Sequence, residues 1–325
     1  MRVLVTGGAG YIGSVIAARL LAGGHEVVVY DDLSRGHVDA VPAGAGLERG
    51  DIRDEACVTA ALRTSGAEAI VHMAALAEVA ESVAQPERYA AVNVAGTATV
   101  VRAAGRSGVA RLVFSSTAAV YGDPGRVPIV EDDPLVPANP YGETKLAGER
   151  LLRDAAPGLA AVALRYFNAC GADGARGEDH DPESHLIPLA LRAAADGASF
   201  RVFGDDYPTP DGTCVRDYVH VADLADAHVL ALERLPDVPP ALNLGTGSGD
   251  SVLTVLETVE LVTGRSLRRT TAPRRPGDPP ALVASNDRAR AALGWTPRHT
   301  LADAVRDAWD WMSAHPGGYA DHRVG

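Results

Sequence analysis

Cysteine is scarce in this sequence of 325 residues: Cys57, Cys170 and Cys214 stand far apart, odd in number and with no C-x-x-C. That excludes a disulfide framework. It reads as three buried small hydrophobes in a chain kept in a reducing, cytosolic compartment. Positive charge is also in short supply, with 30 Lys and Arg against 42 Asp and Glu and a formal net charge of -12. Without a basic stripe to neutralise a phosphate backbone, nucleic acid is not an expected partner. No run of ~18 apolar residues is present, so no spanning helix and no membrane partner are expected. The opening MRVLVTGGAGYIG is broken by glycines too early for a secretory signal, which leaves the cytoplasm as the expected location. With 46% hydrophobic and 22% charged residues, the chain has what an ordinary folded core needs.

What is present is an alternation. Val3–Thr6, Val27–Tyr30, Ala69–His72 and Arg111–Ser115 are short apolar runs that read as buried strands. Between them, Ser14–Leu21 has helical spacing and ends at Gly23-Gly24, and the alanine-rich stretch Tyr89–Ala104 suits one helix. Continuous apolar strands separated by helices predict α/β architecture, a Rossmann-type doubly wound parallel sheet, over residues 1–168. Beyond Asn168 the pattern changes. Residues 171–185 and 204–216 have loop composition, and the segments after them are shorter and mixed. A smaller mixed α/β lobe is therefore expected over 169–325, with some of its chain returning to the first lobe. The tail after Pro316 is expected to be loosely held.

Gly8-Ala9-Gly10-Tyr11-Ile12-Gly13 fits G-x-G-x-x-G and, with Gly7, G-x-x-G-x-x-G. The string alone is weak. Here it follows a predicted strand and opens a predicted helix, the context in which backbone N–H groups and a helix N-terminus receive a pyrophosphate. Asp31 ends the next strand 18 residues past Gly13, where a carboxylate accepts from adenosine ribose hydroxyls and repels a 2′-phosphate. NAD is thus the expected cofactor over NADP, although Arg35 close by is a complication. Asp51-Ile52 is placed to meet the adenine, or to serve a turn.

Asn139 and Pro140 form a helix start, which puts Tyr141 and Lys145 at i and i+4 on one face. A phenol of pKa about 10 is a poor base until a nearby ammonium and a positive nicotinamide favour the phenolate. Lys145 is also suited to bond the nicotinamide ribose. Ser115-Ser116-Thr117 follows a strand at the end where such sheets place ligands, so Thr117 is a candidate partner for the substrate hydroxyl that loses its proton.

These residues resemble a family. GGAGYIG, Gly50-Asp-Ile-Arg-Asp54, Tyr141-x-x-x-Lys145, Arg165-Tyr-Phe-Asn168 and the long string from Asp206 to Tyr218 are similar to motifs of the UDP-glucose 4-epimerases, extended short-chain dehydrogenase/reductases, over about residues 1–320. The resemblance implies tightly held NAD that is regenerated each cycle. It implies that Tyr141 takes the proton of a sugar 4-hydroxyl, that a 4-keto sugar forms and turns about its diphosphate link, and that re-reduction occurs on the opposite face. It implies a cofactor set of Gly7, Gly10, Tyr11, Ile12, Gly13, Asp31, Asp51, Ile52, Asn93, Tyr141, Lys145 and Tyr166. For the UDP-sugar it implies Asn168 and His185, Leu186 and Phe203 flanking uracil, Arg216 and Arg275 on the diphosphate, and Asp278 at the uridine ribose. Homodimerisation through residues 89–104 and 141–155 is implied as well.

Four positions depart from the pattern. Ala77 stands where some members carry a Lys, Thr117 replaces a Ser, and His185 replaces an Asn. Leu282, at the position that gates the sugar 2-substituent, is smaller than the Tyr that excludes N-acetyl groups, so UDP-N-acetylhexosamines and UDP-uronic acids stay open as substrates. A 4,6-dehydratase needs an Asp-Glu pair after the strand-end hydroxyl and a UDP-glucuronate decarboxylase needs a Glu; Ala118 and Ala119 occupy those places. A related NAD-dependent dehydrogenase or reductase, which would release its cofactor, remains an alternative. A non-catalytic NAD-sensing module would have no use for Tyr141, Lys145 and Thr117 together. The string Asp179–His185 is rich in potential ligands, but its spacing fits no zinc template and no metal is expected. His72 and His220, in apolar runs, read as satisfied core histidines.

Overall fold

Val3, Leu4 and Val5 are at most 1% exposed, as a strand without polar alternation must be when helices cover both faces of its sheet. In the computed structural model, which describes residues 1–275 and 277–320, they form β1 (Arg2–Thr6). There follow β2 (Glu26–Asp31), β3 (Gly46–Arg49), β4 (Ala69–His72), β5 (Arg111–Thr117) and β6 (Ala160–Tyr166). The second half adds β7 (Asn168–Cys170), β8 (Ser199–Phe203), β9 (Val215–Arg216), β10 (Tyr218–His220), β11 (Ala241–Leu244), β12 (Asp250–Ser251), β13 (Arg268–Ala272) and β14 (Ala281–Leu282).

Seven parallel strands make the main sheet in the order β11-β6-β5-β4-β1-β2-β3. This is the expected Rossmann-type doubly wound sheet. Strand order reverses between β1 and β4, and ligands of such sheets lie beyond the carboxyl ends at that point. Later chain does return to it: β11 pairs with β6, and the Val221–Arg234 helix packs Leu224, Ala231 and Leu232 onto Val15, Ile16 and Leu20 in one buried cluster. The remaining strands form small sheets, among them β12-β9-β14, where β9 is antiparallel to β12 and parallel to β14. Ile187, Leu191, Val255, Leu256 and Val305 give that part a core of its own.

Several local expectations change. The first helix spans Tyr11–Ala22, starting directly at the glycine turn rather than at Ser14. The stretch 89–104 is not one regular helix: a π-helical turn, Ala90–Ala95, joins Pro86–Tyr89 to Gly96–Ser107. The loop expected over 204–216 ends in β9. The chain after Pro316 is docked through Tyr319, which stacks on His37 at 4.8 Å and donates to the Gly177 carbonyl; residues 321–325 lie outside the described residues. Cys170 and Cys214 are buried, but Cys57 is exposed on the Glu55–Thr64 helix. His72 and His220 are bonded in the interior, His72 to Thr6 and Thr97 and His220 to the Ala222 amide and Asp307.

Candidate active site

The turn after β1 is tight because two glycines permit it. Gly7 sits at φ +69°, and a Cβ there would lie 2.5 Å from the Ala74 nitrogen; a Cβ on Gly13 would lie 2.1 Å from the Gly7 carbonyl oxygen. Asp31, at the end of β2, accepts from the Ala9 amide at 3.0 Å and the Leu33 amide at 2.9 Å, so it shapes the turn as well as facing the cleft. Burial pushes its pKa up, opposed by those two amides. Arg35 is engaged by the Asp181 carbonyl at 2.7 Å and by Glu81 at 3.3 Å, not held out toward a 2′-phosphate. The residues thus fit NAD. Asp51 accepts from the Arg53 amide at 2.8 Å and pairs with its guanidinium, which makes it a turn acid on the rim of the same cleft.

The helix Pro140–Asp154 begins as expected, with the Asn139 side chain accepting from the Gly142 amide at 2.9 Å and Pro140 in the first turn. Lys145 is buried, donates to the Ser115 carbonyl at 2.8 Å and lies 5.9 Å from the centre of the Tyr141 ring. Burial pushes the Tyr141 phenol up to about 12, with the Thr117 hydroxyl opposing. Burial also pulls Lys145 down to about 7. Burial thus opposes the charged form of each group.

One cleft of about 1390 Å³ gathers nearly every predicted residue. Gly7, Gly10, Tyr11, Ile12, Gly13, Asp31, Asp51, Ile52, Tyr141, Lys145 and Tyr166 line it, together with Thr117, Asn168, His185, Leu186, Phe203, Arg216, Arg275, Asp278 and Leu282. Asn93 does not. It is 2% exposed, and its amide is spent on the Leu76 amide and carbonyl and on the Thr144 hydroxyl, so it holds the wall of the cleft and not its contents. Asp278 forms an ion pair with Arg216, and Arg275 lies 4.2 Å over the Phe203 ring. Thr117 accepts from the Ala119 amide at 3.2 Å, leaving its O–H to donate.

The sequence reading missed Glu178, which lines the cleft with His180, Glu183 and His185. The composition of their loop is evident in the sequence, whereas its folding into the wall depends on tertiary contacts that spacing does not reveal. Burial alone would lower the His185 pKa, yet Glu178 and Glu183 raise it to about 11.

A glycine turn, an acidic strand end and a Tyr/Lys pair around one cleft at the reversal of a parallel sheet define a dinucleotide-dependent enzyme acting at a substrate hydroxyl. The chain belongs to the NAD dependent epimerase/dehydratase family, whose model matches residues 3–245, and within it to the UDP-glucose 4-epimerases. A UDP-glucose 4-epimerase of Streptomyces lividans is 51% identical, covering 98% of both chains. The Stenotrophomonas maltophila UDP-glucose 4-epimerase, crystallised with NAD and formylated UDP-arabinopyranose, superposes with a TM-score of 0.94 at 42% identity, covering 97% of this chain and 99% of that one. The Bifidobacterium longum enzyme, in complex with NAD+ and UDP, gives 0.91 at 36% identity over 98% and 99%. Among the described residues, no helix is long and apolar enough to cross a membrane.

Proposed function

We propose that this chain interconverts UDP-glucose and UDP-galactose by inverting carbon 4 through a 4-keto sugar, using NAD held by Gly7, Gly10, Tyr11, Ile12, Gly13, Asp31 and Lys145. The observation that carries the reading is the junction of Thr117, Tyr141 and Lys145 in the cleft of the glycine turn, with Ala118 and Ala119 where elimination chemistry would need carboxylates. When bound, NAD supplies a hydride acceptor and donor at carbon 4, and its positive ring favours the Tyr141 phenolate that burial opposes. Tyr141 takes the 4-hydroxyl proton and later returns it, while Thr117 donates to the same oxygen. Lys145 bonds the nicotinamide ribose. Arg216 and Arg275 hold the diphosphate while the keto-sugar turns; the Arg216–Asp278 pair gives way as the charge on Arg216 turns to phosphate. Leu186 and Phe203 flank uracil, and Asn168 and His185 donate to sugar and phosphate.

The proposed division is a dinucleotide lobe over 1–168 and a substrate lobe over 169–325. Two further assignments belong to this reading: a cytoplasmic location, supported by three free cysteines, and a homodimer through the adjoining helices of 89–104 and 141–155. Leu282, half-buried beside Arg216, leaves room for a second substrate class with a 2-N-acetyl group. Tyr141→Phe tests the role of the phenol. Turnover is expected to fall by roughly 10²–10⁴-fold with NAD content unchanged. Activity within a few-fold of the parent would contradict the assignment.

A further inference from the structure

Residues 178–185 fold back so that Glu178, His180, Glu183 and His185 each bring a donor atom to one point, all four within 4.8 Å of one another. His185 Nδ1 lies 2.7 Å from Glu178 Oε1 and 3.1 Å from Glu183 Oε1; His180 Nδ1 lies 3.1 Å from Glu178 Oε1. A second observation is independent of these contacts. The Glu183 side chain is 1% exposed, and its Oε2 has no hydrogen-bond partner. Its Oε1 already accepts from the Ser184 and His185 amides, each at 2.8 Å. A buried carboxylate oxygen without a donor is costly, and native structures rarely leave one so.

We propose that these four side chains bind a divalent cation of the zinc type. The site lies in the wall of the same cleft and shares His185 with the proposed phosphate contact, but it takes no part in the hydride and proton transfers. Two imidazoles exclude the all-oxygen shells that magnesium and calcium require. Two carboxylates balance the charge of a divalent ion, and a cation beside the Glu183 carboxylate would offset the cost of burying it with one oxygen unpaired. Four protein donors make a closed site of the structural kind, with no position left for substrate. Zinc bonds of ~2.0–2.2 Å set tetrahedral donors about 3.4 Å apart, so the close imidazole–carboxylate contacts must open by about 0.3–0.7 Å and donors as far apart as 4.8 Å must draw together by about 1.4 Å. Binding through His185 Nδ1 leaves its Nε2–H to donate into the cleft.

The position gives the ion a task. Tyr11, at the start of the helix after the glycine turn, stands edge-on to His180 with ring centres 6.3 Å apart, and its hydroxyl donates to the Gly171 carbonyl at 2.6 Å. A cation at this point ties the loop of the smaller lobe to itself directly over the dinucleotide turn. The rival account is a metal-free ion cluster with His185 protonated between the two carboxylates.

The test is metal analysis of the full chain produced with zinc in the medium and dialysed, by plasma mass spectrometry. About one zinc per chain is expected. Removal by a strong chelator should lower Tm by several degrees, and zinc should restore it. Glu183→Gln and His180→Gln should each lose the metal. Should either variant fail to fold, cobalt(II) added to the chelated parent decides: the intense visible absorption of tetrahedral cobalt supports the site. Sub-stoichiometric metal in the parent, with no cobalt absorption and a Tm indifferent to zinc, overturns the proposal in favour of the ion cluster.

Discussion

At the scale of single residues, burial sets the protonation states that matter. Burial drives both Tyr141 and Lys145 toward neutrality, and in the proposed reaction the positive charge of bound NAD would offset that for the phenol. Two histidines show the same force without catalytic purpose. His72 sits between the Thr6 hydroxyl at 2.6 Å and the Thr97 hydroxyl at 3.0 Å, and the latter is committed as a donor to the Asn93 carbonyl. His72 therefore donates through Nε2, and in the neutral ring that burial favours its Nδ1 accepts from the Thr6 hydroxyl. Burial lowers it to about 3 and lowers His228 to about 4. Below the ordinary value of about 6.5 the unfolded chain binds protons that the folded chain refuses. Stability must then fall as pH drops, and by pH 5 the pair removes roughly 4 kcal/mol. Urea unfolding at pH 7 and pH 5 measures this, and His228→Gln should abolish about half of the difference. An unchanged midpoint would contradict the assignment.

At the scale of elements, what was legible followed from local rules. The strands β1, β2, β4 and β5 announce themselves as unbroken apolar runs, and Tyr141 and Lys145 share a face because a helix start precedes them. The π-helical turn at Ala90–Ala95 was not legible, since the Asn93 side chain there bonds to Leu76, a partner that sequence spacing does not reveal. β9 and β14 have two residues each, too short for any period. The glycine turn yields the sharpest prediction at this scale. Gly13→Ala forces a methyl group onto the Gly7 carbonyl, so the turn must open; co-purified NAD should be lost and stability should drop by about 1–3 kcal/mol. Gly105→Ala is the control: a Cβ there meets nothing within 4 Å, and the change should be neutral or stabilising by roughly 0.5–1 kcal/mol. NAD content and urea midpoints of the two variants decide it.

At the scale of the whole molecule, the cleft lies where the dinucleotide sheet meets the later chain, and function depends on both. The first half supplies the glycine turn, Thr117, Tyr141 and Lys145; residues beyond 168 supply Arg216, Arg275, Phe203 and Leu282. The motifs on each side could be read separately, whereas their convergence, and the folding of Glu178–His185 into the wall between them, depended on tertiary packing. In the proposed reaction hydride leaves and returns within one cofactor-loaded molecule. The most direct measurement follows the sugar anomeric proton signals by NMR when purified protein meets UDP-galactose with no NAD added. Conversion to a stable mixture of UDP-glucose and UDP-galactose is expected, with no free keto-sugar or NADH accumulating. A carbon-4 configuration that stays unchanged, or a reaction that stops after one equivalent of NADH, would contradict it.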